Sequence, residues 1–314
     1  MIISASRRTD IPAYYSEWFI NRVKQSYLYV RNPMNRHQIG KINLDPSVVD
    51  GIVFWTKNPI PMMDKLELLQ DYVYYFQFTL TSYGPEIEPG LPSKNKKLIP
   101  AFCELSKKIG KEKVIWRYDP IFLSDTYTLE YHKKYFGIMA SKLGSYCEKC
   151  TISFLDLYRN TTRNIKPFGI RVPTKEEQVE LMTDFSKIAN QYNFYIDTCA
   201  EDIDLSEFGI KHACCIDKNR LERIGGYRLE VKKDSNQRSI CGCVASIDIG
   251  TYNTCKNGCV YCYANYSENT VNKQTECHDP LSPFLFGCLD EGDIVKERKM
   301  ESYIQNQISI FDLK

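Results

Sequence analysis

The sequence predicts an α/β fold on a parallel sheet, by preference a partial or full (β/α) barrel of the TIM type. Three observations carry this. Short β-branched and aromatic runs alternate with helix-period stretches along the chain. About seven such runs are too apolar for a solvated face, as strands covered on both faces are. Each run ends in polar residues, which is how barrel strands end where they converge on one mouth. A doubly wound open sheet obeys the same rule at its switch point, and polar residues can end any strand. The pairs Arg7–Arg8 and Arg117/Asp119 at strand ends favour the barrel mouth.

Residues 2–6 (IISAS) read as the first strand, followed by a helix around 16–24. Residues 51–55 (GIVFW) are the next strand, and 61–70 a helix. Residues 72–80 (YVYYFQFTL) are a strand, and 100–109 a helix whose proline is tolerated in the first turn. Residues 113–117 (KVIWR) are a strand, 128–143 a helix, and 151–155 (TISFL) a strand. Thr174 and Glu177 form a capping box, and Val179, Met182, Phe185 and Ala189 mark one face of the helix it opens. Residues 194–198 (FYIDT) and 244–249 (VASIDI) complete the set.

The composition of the 314 residues, 43% hydrophobic and 25% charged, excludes wholesale disorder. A net charge of +2 leaves no overall electrostatic footprint for nucleic acid. No apolar run approaches the ~20 residues of a membrane-spanning helix. The start, MIISASRRTDIP, lacks the order of a signal peptide, so a cytoplasmic protein without membrane attachment is expected. No glycine-rich nucleotide-binding pattern is present.

Thirteen cysteines, an odd number on a long chain, argue against a disulfide framework and for metal or redox chemistry. Eight of them lie between Cys199 and Cys262. Cys255, Cys259 and Cys262 have the spacing C-x3-C-x2-C, with Tyr261 before the third. Three thiolates so close can reach one iron–sulfur or zinc centre. On a four-iron cubane, three protein ligands leave one iron open, and an open site means chemistry.

This motif resembles the signature of the radical S-adenosylmethionine enzymes. The resemblance implies a 4Fe–4S cluster on Cys255, Cys259 and Cys262, with S-adenosyl-L-methionine bound at the open iron and Tyr261 along its adenine. Cleavage of the sulfonium would release a 5′-deoxyadenosyl radical that abstracts hydrogen from substrate, with flavodoxin or ferredoxin as electron donor. The family's motif normally follows its first barrel strand, whereas here it follows the last. The implied fold is therefore a circularly permuted barrel over residues 1–262 with the cysteine cluster loop at its end, and 263–314 as a C-terminal extension. The chain also resembles a bacterial family marked by such a C-terminal cysteine cluster, which brings no activity with it.

In the permuted order, residues 2–6 and the following Arg7, Arg8, Thr9 and Asp10 correspond to the strand that holds the cofactor's methionine amino group. The usual Gly-Gly-Glu is absent, so Asp10 or the backbone near Ser6 would substitute. Arg7 or Arg8 would meet the carboxylate, or else form surface ion pairs. Lys57, Arg117 and Asp119 are candidates for ribose or substrate contacts, with Lys57 equally suited to a structural role.

Cys199, Cys215, Cys241 and Cys243 could supply an auxiliary iron–sulfur cluster, as in several enzymes of that type, or zinc, or could be buried thiols. Cys215 is preferred to Cys214 because one of two adjacent thiols usually points away. Cys103, Cys150 and Cys288 read as core. At the C-terminus, Gln307, Ile310 and Phe311 resemble the peptide by which bacterial repair and replication proteins dock on the DNA sliding clamp, with a terminal strand as the alternative. If the tail docks, a DNA lesion becomes a candidate substrate, as for spore photoproduct lyase. The alternative to an enzyme is a zinc-stabilised binding protein or clamp-associated adaptor. A thiol redox protein would want an isolated C-x2-C at a helix start.

Overall fold

Unbroken apolar runs become strands buried on both faces, and the computed structural model, which describes residues 1–305, is organised around them. In chain order the strands are β1 (Ile2–Ala5), β2 (Tyr27–Asn32), β3 (Asn35–Asn43), β4 (Gly51–Thr56), β5 (Tyr74–Thr79) and β6 (Val114–Ile121). There follow β7 (Lys149–Phe154), β8 (Tyr195–Thr198), β9 (Lys211–His212), β10 (Ile247–Asp248) and β11 (Ile294–Glu297). Eight of them form one sheet in the order β10-β1-β4-β5-β6-β7-β8-β9. Every pairing in it is parallel.

The last strand of this sheet to appear in the chain thus stands beside the first, with Ile3 opposite Ile247. Among the described residues no ladder joins β9 to β10. Where those edges approach, the Val244 N–H donates to the Ile216 carbonyl at 3.2 Å.

Helices cover the sheet. Thr128 caps Leu129–Leu143, and the Thr174/Glu177 capping box opens Lys175–Gln191. These two helices meet through Phe136 and Phe185, stacked 3.8 Å apart, and Phe136 also stacks on Trp116 of β6. All three rings are fully buried. The helix expected over 61–70 is two pieces, Ile60–Met63 and a 3-10 turn at Leu66–Leu69. Tight i+3 bonds, Lys65 N–H to Met62 and Leu68 N–H to Lys65, replace the α-helical pattern there.

A second sheet, β11-β3-β2, was not expected. Its hairpin turns at Asn32–Asn35 around Pro33; the paired Leu28 and Ile42 face the main core, while buried Ile39 lies on the opposite face. Aromatic rings, Trp18, Phe19, Phe54, Phe76, Phe78 and Phe102 among them, fill much of the main core.

Candidate thiol-lined active site

Strand ends of the large sheet open on a cavity of about 1260 Å³. Its wall includes Ser6 to Asp10, Thr56, Lys57, Arg117, Asp119 and members of both cysteine groups.

Cys255, Cys259 and Cys262 reach the cavity from the loop after β10. Gly258 takes a φ of +62°, which turns the chain within the three-residue spacer. Close approach fixes Gly90: a Cβ there would stand 2.3 Å from the Lys256 carbonyl oxygen. The Gly90 N–H donates to Asn257, and the Val260 N–H to Ile87, both at 3.0 Å. Buried Asn257 donates to Asp10 Oδ2 (3.1 Å) and accepts from the Tyr14 hydroxyl (2.7 Å). Asp10 also accepts from the Lys57 N–H (2.7 Å), although burial pushes its carboxyl up.

Tyr261 belongs to this anchor. Its ring packs with Tyr83 and Phe122, and its hydroxyl donates to the Glu88 carboxylate. Lys57 Nζ donates to Glu88 Oε1 (2.8 Å) and to the Tyr261 hydroxyl (2.7 Å). Lys94 and Thr81 hold the second Glu88 oxygen. Burial alone would raise the Glu88 carboxyl, but the two ammonium groups override it and hold it down at about 2. The three thiols are pushed up by burial, Cys259 to about 12 despite Lys57 nearby. Only a nearby cation makes such thiols thiolates.

As they stand, no three His, Cys, Asp or Glu side chains among the described residues are arranged to hold a metal ion. In kind, the first group still fits an iron–sulfur cluster: three soft sulfurs on one loop, opening on a cavity. Thr9 Oγ1 and Arg7 Nη2, in that cavity's wall, are buried with no partner among the described residues. A polar cofactor would supply what such atoms lack.

The second group assembles from separate segments. Cys199 ends β8, Cys215 follows β9, and Cys241 and Cys243 precede β10. The Cys199 and Cys215 sulfurs are 3.1 Å apart, and Cys241 and Cys243 line the same stretch of the cavity wall. Arg117 Nη1 donates to Cys215 Sγ (3.0 Å), and the Ile216 N–H to Cys243 Sγ (3.3 Å). Hydrogen bonds from its neighbours, with Arg117 and Arg7 adding to them, hold the Cys215 thiol below its ordinary range. Cys214 turns its sulfur towards Gly242, where a Cβ would stand 2.5 Å from it.

The arginines divide differently from expectation. Arg7 lies over Trp55, 5.1 Å from the ring centre, with Cys243, Cys215 and Asp248 near its guanidinium. Arg8 lies 5.1 Å over Tyr252. Arg117 is bound to Asp119 by Nε (3.0 Å) and Nη2 (2.6 Å), inside the wall. Cys150 is buried and Cys103 half-buried, but Cys288 is exposed and not core, since it precedes the fully exposed β11. Gln307, Ile310 and Phe311 lie outside the described residues.

Three residues escaped the sequence reading. Glu88 and Lys94 lie in an aperiodic stretch, and only the fold brings them to Lys57 and Tyr261. Asp248, at the end of β10, accepts from Ser4 (3.0 Å), Ser6 (2.6 Å) and the Arg7 N–H (2.9 Å), so it shapes the turn that presents Arg7. Its signal was the Ile-Asp-Ile alternation at a strand end.

Fold and site define an α/β protein with an eight-stranded parallel sheet and a cavity walled by two cysteine groups. The chain belongs to the family described as Domain of unknown function (DUF1848), whose model matches residues 2–264 and so takes in both groups. No curated protein and no solved structure matches it. Among the described residues no helix is long and apolar enough to cross a membrane.

Proposed function

We propose that the protein is a radical S-adenosylmethionine enzyme on a partial, circularly permuted barrel. The observation that carries this is the C-x3-C-x2-C loop, which leaves β10 beside β1 and delivers three thiols to the cavity at the strand ends. Cys255, Cys259 and Cys262 would hold a 4Fe–4S cluster, which when bound supplies the electron that cleaves the cofactor's sulfonium. The protein's part is positional. Asp10 and Asn257 fix the loop's first turn, while Glu88, Lys57 and Tyr261 fix its second half. Lys57, close to Cys259, sets a positive charge against the anionic thiolates. Thr9 Oγ1 and Arg7 Nη2 offer unused hydrogen-bonding capacity to a polar ligand in the cavity. A flavodoxin or ferredoxin would deliver the electron.

The test is anaerobic purification with iron and sulfide analysis, then a reductant-driven assay for 5′-deoxyadenosine. About four irons and four sulfides per chain with cofactor cleavage are expected from this ligand set. Zinc without sulfide and without cleavage would instead indicate a zinc-stabilised binding protein.

A further inference from the structure

We propose that Cys199, Cys215, Cys241 and Cys243 bind a single zinc-type ion that bolts the two open edges of the parallel sheet together. This is independent of the radical reading, which concerns other thiols.

Three observations support it. The first is place. Cys199 and Cys215 belong to the β8–β9 edge, while Cys241 and Cys243 lead into β10 at the other edge. Between these edges no ladder runs among the described residues, and the Val244–Ile216 hydrogen bond is a single tie. A tetrathiolate ion there would cross-link segments that backbone pairing does not.

The second is charge. Four thiolates around a divalent ion make a dianion, costly to bury unless compensated. Two guanidiniums meet that need: Arg117 donates to Cys215 Sγ at 3.0 Å, and Arg7 has Cys243 and Cys215 as neighbours. Arg7 Nη2 is buried with no partner among the described residues. An N–H to sulfur bond, Ile216 to Cys243, adds a further donor. Arg117 divides its charge between Asp119 and Cys215, so Arg7 is the guanidinium with N–H capacity left for the sulfurs.

The third is size. Zinc–sulfur bonds of ~2.3 Å in a tetrahedron put sulfurs about 3.8 Å apart. The Cys199 and Cys215 sulfurs stand 3.1 Å apart, and Cys241 and Cys243 line the same cavity. Opening that contact by about 0.7 Å suits one ion, whereas a cubane holds its ligand sulfurs roughly 6 Å apart and would force the edges open. As they stand the four sulfurs do not surround a metal ion, but the Cys199–Cys215 separation is nearer that of a mononuclear centre than that of a second cluster.

The experiment compares full-length proteins purified anaerobically from zinc-supplemented cells, with zinc, iron and labile sulfide measured per chain. In a Cys255→Ser/Cys259→Ser/Cys262→Ser variant, about one zinc should remain, without sulfide. In a Cys241→Ser/Cys243→Ser variant, zinc should fall more than about tenfold. Iron and sulfide in the triple variant would place a cluster at the second group and overturn the proposal, as would the absence of zinc. Should the double variant not fold, cobalt(II) added to the chelator-stripped triple variant decides: thiolate charge-transfer and tetrahedral d–d bands support the site, and their absence refutes it. Chelation of the triple variant should also lower its thermal midpoint by roughly 5 °C or more, and an unchanged midpoint would remove the bolt. Wild-type protein with zinc but no iron would sink the radical reading and leave this one standing.

Discussion

Cys255, Cys259 and Cys262 sit on one loop within eight residues, whereas Cys199, Cys215, Cys241 and Cys243 come from segments that only the sheet brings together. Both groups wall the same cavity. The first is supported through its frame: Asp10 holds the Asn257 side chain, Glu88 and Lys57 hold the Tyr261 hydroxyl, and Gly90 and Ile87 bond the loop's backbone. The second is supported on its sulfurs, by Arg117 and the Ile216 N–H, with the charge of Arg7 nearby. A loop held by its frame can leave a coordination position open to a ligand. A group held by its donor atoms and spanning two edges is suited to being filled and closed. On the two proposals made above, the difference between them would be that between a reactive and a cross-linking centre.

The contrast breaks most sharply at Cys259. Cys259→Ala should reduce 5′-deoxyadenosine formation to background while leaving the zinc content and far-ultraviolet circular dichroism unchanged. Continued cleavage under reductant would show that the ligands are misassigned. Next in size is Gly90→Ala, because its Cβ meets loop backbone that has no side chain to move. It should cost most of the iron while sparing the zinc, measured on the same sample. Equal loss of both metals would mean that the two groups are mechanically one.

Glu88→Gln tests the frame more gently. It removes the charge between Lys57 and Lys94 while keeping the shape, and should lower cleavage by about 10–100-fold, the usual cost of losing an outer support. An unchanged rate would make Glu88 a bystander. Away from both groups, His132 supplies a baseline. Burial holds its imidazole down to about 4, between the Tyr118 hydroxyl (3.0 Å) and the Phe122 carbonyl (2.8 Å). A depressed histidine favours folding above its unfolded pKa of ~6.5, so on the order of 3 kcal/mol of stability should drain away between pH 6.5 and 4. Denaturant midpoints across that range should fall in wild type and stay flatter in His132→Phe. Smallest of all, Cys214→Ser should leave zinc unchanged, since that sulfur faces Gly242.

The same contrast explains what could be read from sequence. The C-x3-C-x2-C loop announces itself because its ligands are neighbours in the chain. Its position after a strand was equally legible, since Ile247 and Ile249 are apolar and buried. The four other cysteines could be grouped by composition, but their contacts depend on β8, β9 and β10 meeting across the sheet. Arg7 was legible as a binding residue and illegible in direction, because the Asp248 contacts that turn it are long-range. Glu88 was invisible for the same reason. The hairpin of β2 and β3 carried a signal, alternation about an Asn-Pro turn, obscured by the exposed polar residues of β3.

The order of the large sheet also bears on how the chain is made. β1 leaves the ribosome before every other strand of the large sheet, yet its neighbour on one side, β10, emerges only after all the others. Until then that flank of β1 is a bare edge, the kind that recruits other chains. Arrival of residues 247–262 would cover the edge and deliver the last thiols in one event. Covering that flank and completing the cysteine loop would thereby be a single step of biogenesis, and a nascent chain stopped short of it would lack both.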